Sequence, residues 1–255
     1  MGKTIEGAYD AHRRTTKDKV HRRAVRLGSR AFSVLSLRPS TPHRYAMNRF
    51  HETWHILCDA GSAHYLGRLL WALSFQKTPN TVLVVDGDNI VPNPFDGEPS
   101  RSFAFVNQAT TALRRRQSEQ LATMMPMHGG RYSTSPDGTV VMQSHSRPKA
   151  VAEKADAYHD IDRGSVWQAK GIVFFALSPH GLRSLSLQCD SFDDMRWKTN
   201  AIFFGPRAQH NSWYPEGEIQ TITGFGPKVN DVQQRRHRTY GDRRDLSYEE
   251  RIALW

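Results

Sequence analysis

Apolar runs and amphipathic segments alternate along the middle of the chain. Trp54–Cys58 is a short apolar run that predicts a strand, and Ser62 marks the start of a helix with its apolar face between Tyr65 and Leu73. Thr81–Val85 is continuously apolar, as is typical of a strand buried on both faces of a sheet. This order of strand, helix and strand predicts a Rossmann-like βαβ unit over residues 53–86.

Further segments extend the same pattern. Gly171–Leu177 predicts a second buried strand, and a helix is expected over residues 104–124. We therefore expect the α/β fold class, with a single domain over residues 43–230 built on a mainly parallel sheet. Residues 1–42 are predicted to form a basic, partly flexible N-terminal arm, and residues 231–255 a charged C-terminal tail.

The composition limits the class of protein. The 255 residues are enough for one large domain, and 38% of them are hydrophobic. Only two cysteines are present, Cys58 and Cys189, which argues for reduced thiols rather than a disulfide framework. There is no signal-peptide pattern, and no apolar run approaches the roughly 20 residues that span a bilayer. We expect a soluble, cytoplasmic protein without a membrane partner, and the oligomeric state stays open.

The net charge of +10 is concentrated near the N-terminus. Residues 1–50 contain 12 Lys and Arg against 3 Asp and Glu, whereas residues 51–100 contain 2 against 6. The cations of the predicted arm are Arg13, Arg14, Lys17, Lys19, Arg22, Arg23, Arg26 and Arg30. Their spacing, mostly three and four, favours one face of a helix laid along phosphates, and each neutralised phosphate would make binding salt-dependent.

Two interpretations of this basic segment remain open. Blocks of like charge are often interaction tails, which favours nucleic acid or another polyanion as the partner. The triplet Arg114, Arg115 and Arg116 would extend the same binding surface. The alternative is a solvated, mobile terminus that improves solubility.

Acidic side chains follow the best predicted strand. Asp86 and Asp88 come directly after Thr81–Val85, and Asp59 ends the preceding predicted strand. Carboxylates at the carboxyl end of parallel strands lie where α/β sheets bind ligands, and they suit Mg²⁺. A Mg²⁺ ion there would stabilise charge on a phosphoryl group and activate water. The alternative is a plain turn, because Asp-Gly and Asn are common turn residues.

The segment Val84-Val85-Asp86-Gly87-Asp88-Asn89-Ile90 resembles the opening strand of the NYN branch of PIN-like nucleases. The resemblance covers some ten residues, with Lys154-Ala-Asp156 as a faint second element. It implies Mg²⁺-dependent RNA cleavage, with Asp86 as a metal ligand. The same strand with Asp-x-Asp, together with Ser178 and Asp190, also resembles haloacid-dehalogenase-type phosphatases, in which Asp86 would be the nucleophile and Asp88 the acid. Nucleotide-sugar transferases share the strand with Asp-x-Asp as well.

A second motif points to different chemistry. His51-Glu52-x-x-His55 matches the zincin pattern, in which a helix presents both histidines to one Zn²⁺ and the glutamate activates water. The run Trp54–Cys58 favours a strand instead, and on a strand the two histidines would lie about 13 Å apart. Ordinary packed or surface histidines are the alternative.

Three hypotheses follow for the function. The leading one is a nucleic-acid-associated, Mg²⁺-dependent phosphodiesterase or nuclease with Asp86 and Asp88 as catalytic residues and metal ligands. The second is a non-catalytic nucleic-acid-binding or packaging protein that uses the basic arm. The third is a hydrolase of another kind, either a zinc enzyme at His51 and His55 or a phosphatase.

Overall fold

The computed structural model describes residues 13–125, 135–148, 164–193, 201–205 and 216–254. The strands are β1 (Arg13–Leu27), β2 (Arg30–Ser36), β3 (Tyr45–Phe50), β4 (Thr53–Cys58), β5 (Thr81–Val85), β6 (Ser102–Asn107), β7 (Gly138–Pro148), β8 (Ser165–Ala169), β9 (Ile172–Leu177), β10 (Ala201–Phe204) and β11 (Gly217–Thr221). The helices are α1 (Ala60–Ser74), α2 (Arg115–Met124), α3 (Pro179–Gln188), α4 (Phe225–Tyr240) and α5 (Tyr248–Ile252).

The strands form two sheets of mixed direction. The larger sheet has seven strands in the order β7-β1-β2-β5-β6-β9-β8, and the smaller has four in the order β10-β11-β4-β3. In the larger sheet only the pairs β2–β5 and β6–β9 are parallel. In the smaller sheet β4 pairs parallel with β11 and antiparallel with β3. The α/β class is therefore confirmed, and the prediction of a mainly parallel sheet is wrong.

The predicted elements of the βαβ unit exist, but they do not form that unit. The strand β4, the helix α1 and the strand β5 lie within the predicted span 53–86. However, β4 belongs to the four-stranded sheet, and β5 lies in the seven-stranded sheet between β2 and β6. The helix α1 thus connects two different sheets rather than two neighbouring parallel strands.

The basic N-terminal segment is part of the larger sheet. Along its length β1 pairs with β2 and β7, so residues 13–36 do not form an arm separate from the domain. Val20 points into the main core, whereas Val25 and Leu27 belong to a second core on the opposite face. Because β1 supplies apolar side chains to both faces, a strand buries more of this segment than the predicted basic helix would.

Two cores lie on opposite faces of the seven-stranded sheet. The main core joins that sheet to α1, α3 and the four-stranded sheet, with Phe105 and Phe175 stacked at its centre (centroids 5.2 Å apart). The second core lies under α2 and includes Leu121 and Ala122. The predicted helix over residues 104–124 is correct only from Arg115 onward, since its first part belongs to the central strand β6.

The C-terminal helices pack onto the other side of the four-stranded sheet. Phe225 and Val229 of α4 contact Ala46 and Leu57, which face away from the main core. No helix in the described part of the chain is long and apolar enough to cross a membrane. Both cysteines are buried, and burial raises the pKa of the Cys58 thiol.

Candidate functional site: a cavity at the end of β5 and a surface of arginines

A cavity of about 910 Å³ opens at the carboxyl end of β5. Its wall consists of the β3–β4 hairpin, the loop between β5 and β6, the end of α2, the β8–β9 turn and α5. The volume lies near the upper end of the range of roughly 300–1,000 Å³ that is usual for ligand pockets. Ligand sites of α/β sheets commonly lie beyond the carboxyl ends of strands, which makes this cavity the first candidate site.

Two arginines in the cavity wall lie against the same indole ring. The guanidinium carbon of Arg49 is 5.4 Å from the Trp54 ring centroid, and that of Arg101 is 5.9 Å from it. Trp54 is itself buried, while both arginines are exposed. Within the described residues neither guanidinium forms an ion pair with a carboxylate. Two cations that form no ion pair within the described residues therefore line the same cavity.

Several polar atoms in the wall lack hydrogen-bond partners among the described residues. They are the Asn48 side-chain oxygen, the Ser100 hydroxyl and the Nε of Arg251, and all three atoms are buried. Ser100 as a whole is 3% exposed. A buried polar atom without a hydrogen-bond partner lowers the free energy of unfolding by about 1–3 kcal/mol. Three such atoms lie in the wall of this one cavity.

The loop between β5 and β6 is held in place by α4 and α5. Arg251 pairs with Glu98 (3.2 Å), and Arg236 donates to the carbonyl oxygen of Asp96 (2.9 Å). The Asp96 carboxylate accepts the amide N–H of Glu98 (2.9 Å). Burial raises the pKa of Asp96. The hydrogen bond from Glu98 and the charge of Arg236 lower this pKa and offset the rise only in part. The C-terminal helices therefore fix one wall of the cavity.

The two aspartates that follow β5 have different surroundings. Asp86 is 4% exposed, whereas Asp88 is exposed and lines the cavity. Between them Gly87 has a φ of 53°, in the left-handed region that glycine adopts without strain. Asn89 donates from its side chain to the carbonyl oxygen of His43 (3.0 Å). The segment thus forms a tight turn, and the same turn presents Asp88 to the cavity.

Asp59 has a structural role at the start of α1. Its carboxylate accepts the amide N–H of Ser62 (2.6 Å) and so caps the helix. It follows β4 in the smaller sheet, whereas Asp86 follows β5 in the larger one. Within the described residues no three His, Cys, Asp or Glu side chains converge as metal ligands. The predicted set of Asp59, Asp86 and Asp88 is therefore not assembled as a three-carboxylate site.

The zincin motif lies in a hairpin, not in a helix. His51 and Glu52 form the turn between β3 and β4, with φ angles of 46° and 66°. His55 lies on β4, where its Nδ1 contacts the Glu218 carboxylate at 2.9 Å. The helical arrangement that would direct His51 and His55 to one zinc ion is not formed, because the strand propensity of Trp54–Cys58 prevails.

The cations of the predicted arm lie on both faces of β1. Lys17, Lys19, Arg22 and Arg26 are exposed, and the side chains of Arg13 and Arg14 lie outside the described part. Arg23 is buried and donates to the Ser36 hydroxyl (2.7 Å), so it is a structural residue. The expected continuous basic face of a helix is replaced by cations that alternate between the two faces of a strand.

The fold brings one of these cations close to the arginine triplet. Arg30 donates to the carbonyl oxygen of Ala112 (2.9 Å), and Gln117 donates to the carbonyl oxygen of Leu27 (3.4 Å). These bonds join the β1–β2 hairpin to the start of α2. Ala112 lies two residues before the exposed triplet Arg114, Arg115 and Arg116, and we call Arg30 together with this triplet the arginine surface.

A groove of about 540 Å³ adjoins the arginine surface. Arg115 and the partly exposed Trp167 both line it. The indole of Trp167 stacks on Phe174 with centroids 5.4 Å apart and donates from Nε1 to the Ser118 hydroxyl (2.9 Å). The ring is therefore held in a fixed orientation beside the arginines.

Two residues of the phosphatase resemblance lie at opposite ends of α3. Ser178 caps α3 by accepting the amide N–H of Gly181 (2.9 Å). Asp190 lies in the short 3₁₀ segment that follows α3. Lys154 and Asp156 lie outside the described residues.

Comparisons with known proteins gave no relative for this chain: no protein-family model, no curated protein and no solved structure matches it.

Proposed function

We propose that this protein binds single-stranded nucleic acid through the arginine surface and the adjoining groove. The observation that carries the proposal is that Arg30 of β2 reaches Ala112, next to the exposed triplet Arg114–Arg116 at the start of α2, although the two segments are distant in sequence. Arg30 and Gln117 support this arrangement through their hydrogen bonds across the two elements. Phosphates that contact this surface would release counterions.

Trp167 favours a single strand over a duplex. Proteins that bind single strands without sequence preference combine a basic groove with aromatic side chains on which bases stack. The partly exposed indole of Trp167 lies in the groove next to Arg115 and is already oriented by Phe174 and Ser118. The bases of a duplex are already stacked on one another and would gain less from this contact.

The first test measures the affinity for fluorescently labelled single-stranded oligonucleotides by anisotropy over a range of salt concentrations. Replacing Arg114, Arg115 and Arg116 by Gln is expected to weaken binding about tenfold or more, because three phosphate contacts are lost. The slope of log affinity against log salt is expected to fall by about 2, at roughly 0.7 per phosphate on a single strand. An equal affinity of the variant and the parent protein would rule the proposal out.

A charge-matched control separates a specific surface from net charge. Lys77, Arg238 and Arg244 are exposed cations on other elements. Replacing all three by Gln removes the same charge and is expected to leave the affinity within about twofold of the parent value. If this control weakens binding as much as the triplet does, the partner recognises overall charge and the arginine surface is not the binding site.

One observation favours a second candidate function, metal-dependent phosphodiester hydrolysis. Asp88 is exposed at the end of β5 and lines the large cavity, where Arg49 and Arg101 also lie. Mg²⁺ often binds through only one or two carboxylates plus water and a substrate phosphate, and Asp88 meets that requirement. A nuclease assay with Mg²⁺ tests this: Asp88→Asn is expected to abolish cleavage, and cleavage that is unchanged by the substitution would exclude the role.

A further inference from the structure

We propose that the cavity at the end of β5 binds a free nucleoside monophosphate, at a site separate from the arginine surface. This inference does not depend on the proposed nucleic-acid binding, because the cavity and the arginine surface share no residue. Arg114 stands at the start of α2, and Ala122 near its other end lines the cavity. The eight residue steps from Arg114 to Ala122 put the two sites about 12 Å apart along the helix, at about 1.5 Å per residue.

The pair of arginines supplies the phosphate-binding part of this site. Arg49 and Arg101 lie within 6 Å of the centroid of one buried indole, and within the described residues neither has a carboxylate partner. Two guanidinium groups that line one cavity and form no ion pair attract an anion into it. Guanidinium groups bind phosphate oxygens in pairs, which makes a phosphate monoester a suitable anion.

The polar atoms without partners indicate that the rest of the ligand is polar as well. Asn48 and Ser100 line the cavity, and each has a buried oxygen that accepts or donates no hydrogen bond within the described residues. Ser100 can act as donor or acceptor, and the Asn48 oxygen is an acceptor. A nucleobase carries donors and acceptors along one edge and matches this combination once the Asn48 and Ser100 side chains, whose oxygens are closed to solvent in the structure, turn toward it.

Aromatic side chains at the cavity provide a surface for a planar ring. Phe50 is 43% exposed and Tyr248 is 60% exposed, and both line the cavity. Phe50 packs edge-on against His51, with ring centroids 3.9 Å apart, and the exposed faces of such aromatic side chains stack well on bases. Asp88 lines the same cavity and is an acceptor for ribose hydroxyl groups, a role that strand-end acids have in nucleotide-binding sheets.

The test is isothermal titration calorimetry of the full chain with the four common ribonucleoside monophosphates. At least one is expected to bind with a Kd below about 1 mM, a value that corresponds to −4.1 kcal/mol. Arg49→Gln and Arg101→Gln are each expected to weaken that binding at least tenfold. Absence of binding by all four nucleotides, or unchanged binding by both variants, would overturn the proposal.

Further measurements identify which part of the ligand each side chain recognises. The matching nucleoside, which lacks the phosphate, is expected to bind weakly and with the same affinity to the parent protein and to Arg49→Gln. Tyr248→Ala is expected to lower the affinities for the nucleoside and for the nucleotide by the same factor. If Arg49→Gln lowers the affinity for the nucleoside as strongly as the affinity for the nucleotide, the arginine does not bind the phosphate and this assignment is wrong.

Two controls keep this proposal separate from the proposed function and from misfolding. Arg238→Gln removes an exposed charge far from the cavity and is expected to leave the nucleotide affinity unchanged. Thermal unfolding of each variant shows whether a loss of binding comes from a loss of structure. The variant in which Arg114, Arg115 and Arg116 are replaced by Gln is expected to bind the nucleotide with the affinity of the parent protein. A loss of nucleotide binding in that variant would contradict the separation of the two sites.

Discussion

Arg68 donates from Nε and from an Nη atom to the two carboxylate oxygens of Asp18, at 3.0 and 3.1 Å. This bidentate pair joins the strand β1 to the helix α1 across the face of the larger sheet. Asp18 is largely shielded from solvent, with 13% of its side chain exposed, while Arg68 also lies over the ring of Tyr65. The one acidic residue among the cations of the N-terminal segment therefore attaches that segment to the rest of the domain.

Removing this pair is expected to destabilise the fold. In Asp18→Ala the guanidinium loses both acceptors in a partly buried position, and we expect the free energy of unfolding to fall by about 1–3 kcal/mol. Urea unfolding followed by circular dichroism measures the change. The exposed ion pair Arg115–Glu119 (3.4 Å) is the control. Glu119→Ala is expected to lower the free energy of unfolding by at most about 0.5 kcal/mol. Equal losses in the two variants would contradict this role for Asp18.

Gly217 is expected to tolerate no side chain. A Cβ atom at this position would lie 2.3 Å from the Phe204 ring, so the ring must move out of its place in the main core. Gly217→Ala is therefore expected to lower the free energy of unfolding by about 1–3 kcal/mol, the usual cost of overpacking. Gly226 in α4 has open space around it, and Gly226→Ala is expected to be neutral or stabilising by up to about 1 kcal/mol. Thermal unfolding compares the two variants. A smaller loss of stability in Gly217→Ala than in Gly226→Ala would refute the predicted contact with the Phe204 ring.

The turn between β3 and β4 can be improved by substitution. His51 and Glu52 both have positive φ angles, which residues other than glycine and asparagine adopt only at a cost. The double substitution His51→Asn and Glu52→Gly gives the preferred hairpin sequence and is expected to raise the free energy of unfolding by about 1 kcal/mol. Urea unfolding is the measurement, and His51→Val, which disfavours positive φ further, is expected to be destabilising.

Stability is expected to depend on pH through His43. Burial lowers the pKa of this side chain, and Arg68 lowers it further, with smaller opposing effects from Asp59 and Asp18. The unfolded chain therefore takes up a proton near the ordinary pKa of about 6.5, before the folded chain does. The free energy of unfolding consequently falls as the pH drops below about 6.5, until the folded state is protonated as well.

A variant isolates this contribution from that of the other histidines. His43→Phe keeps an aromatic ring against Tyr65, on which His43 stacks with centroids 4.2 Å apart. Between about pH 7.5 and 5.5 the parent protein is expected to lose more stability than this variant. Urea unfolding at both pH values measures the difference, and parallel losses in the two proteins would show that His43 does not titrate in this way.

Local elements of the fold were predictable from the sequence, but the pairing of strands was not. The strands β5 and β9 are continuous apolar runs, and β4 and α1 follow clear patterns. Whether two neighbouring strands run parallel or antiparallel depends on partners that are distant in sequence: β5 pairs with β2, and β4 pairs with β11. The spacing of three and four between the cations of the basic segment favours a helix, whereas Val20, Val25 and Leu27 supply apolar side chains to both faces of a strand.

The candidate site was predictable only at Asp88. The Asp-Gly-Asp-Asn sequence after an apolar strand is a local signal, and its second aspartate, Asp88, lines the cavity at the end of β5. Arg49, Trp54 and Arg101 form no local motif, because they come from β3, β4 and the residue before β6. Only the pairing of β3 with β4 and the return of the chain at β6 bring them to one cavity.

The position of β4 between β3 and β11 has a consequence for biosynthesis. Its first neighbour β3 is adjacent in sequence, but its second neighbour begins at Gly217. During translation the edge of β4 stays without its partner until residues 217–221 have left the ribosome. The nascent protein therefore exposes an unpaired apolar edge for most of its synthesis, and a premature stop before residue 217 would leave an aggregation-prone fragment rather than a smaller folded protein.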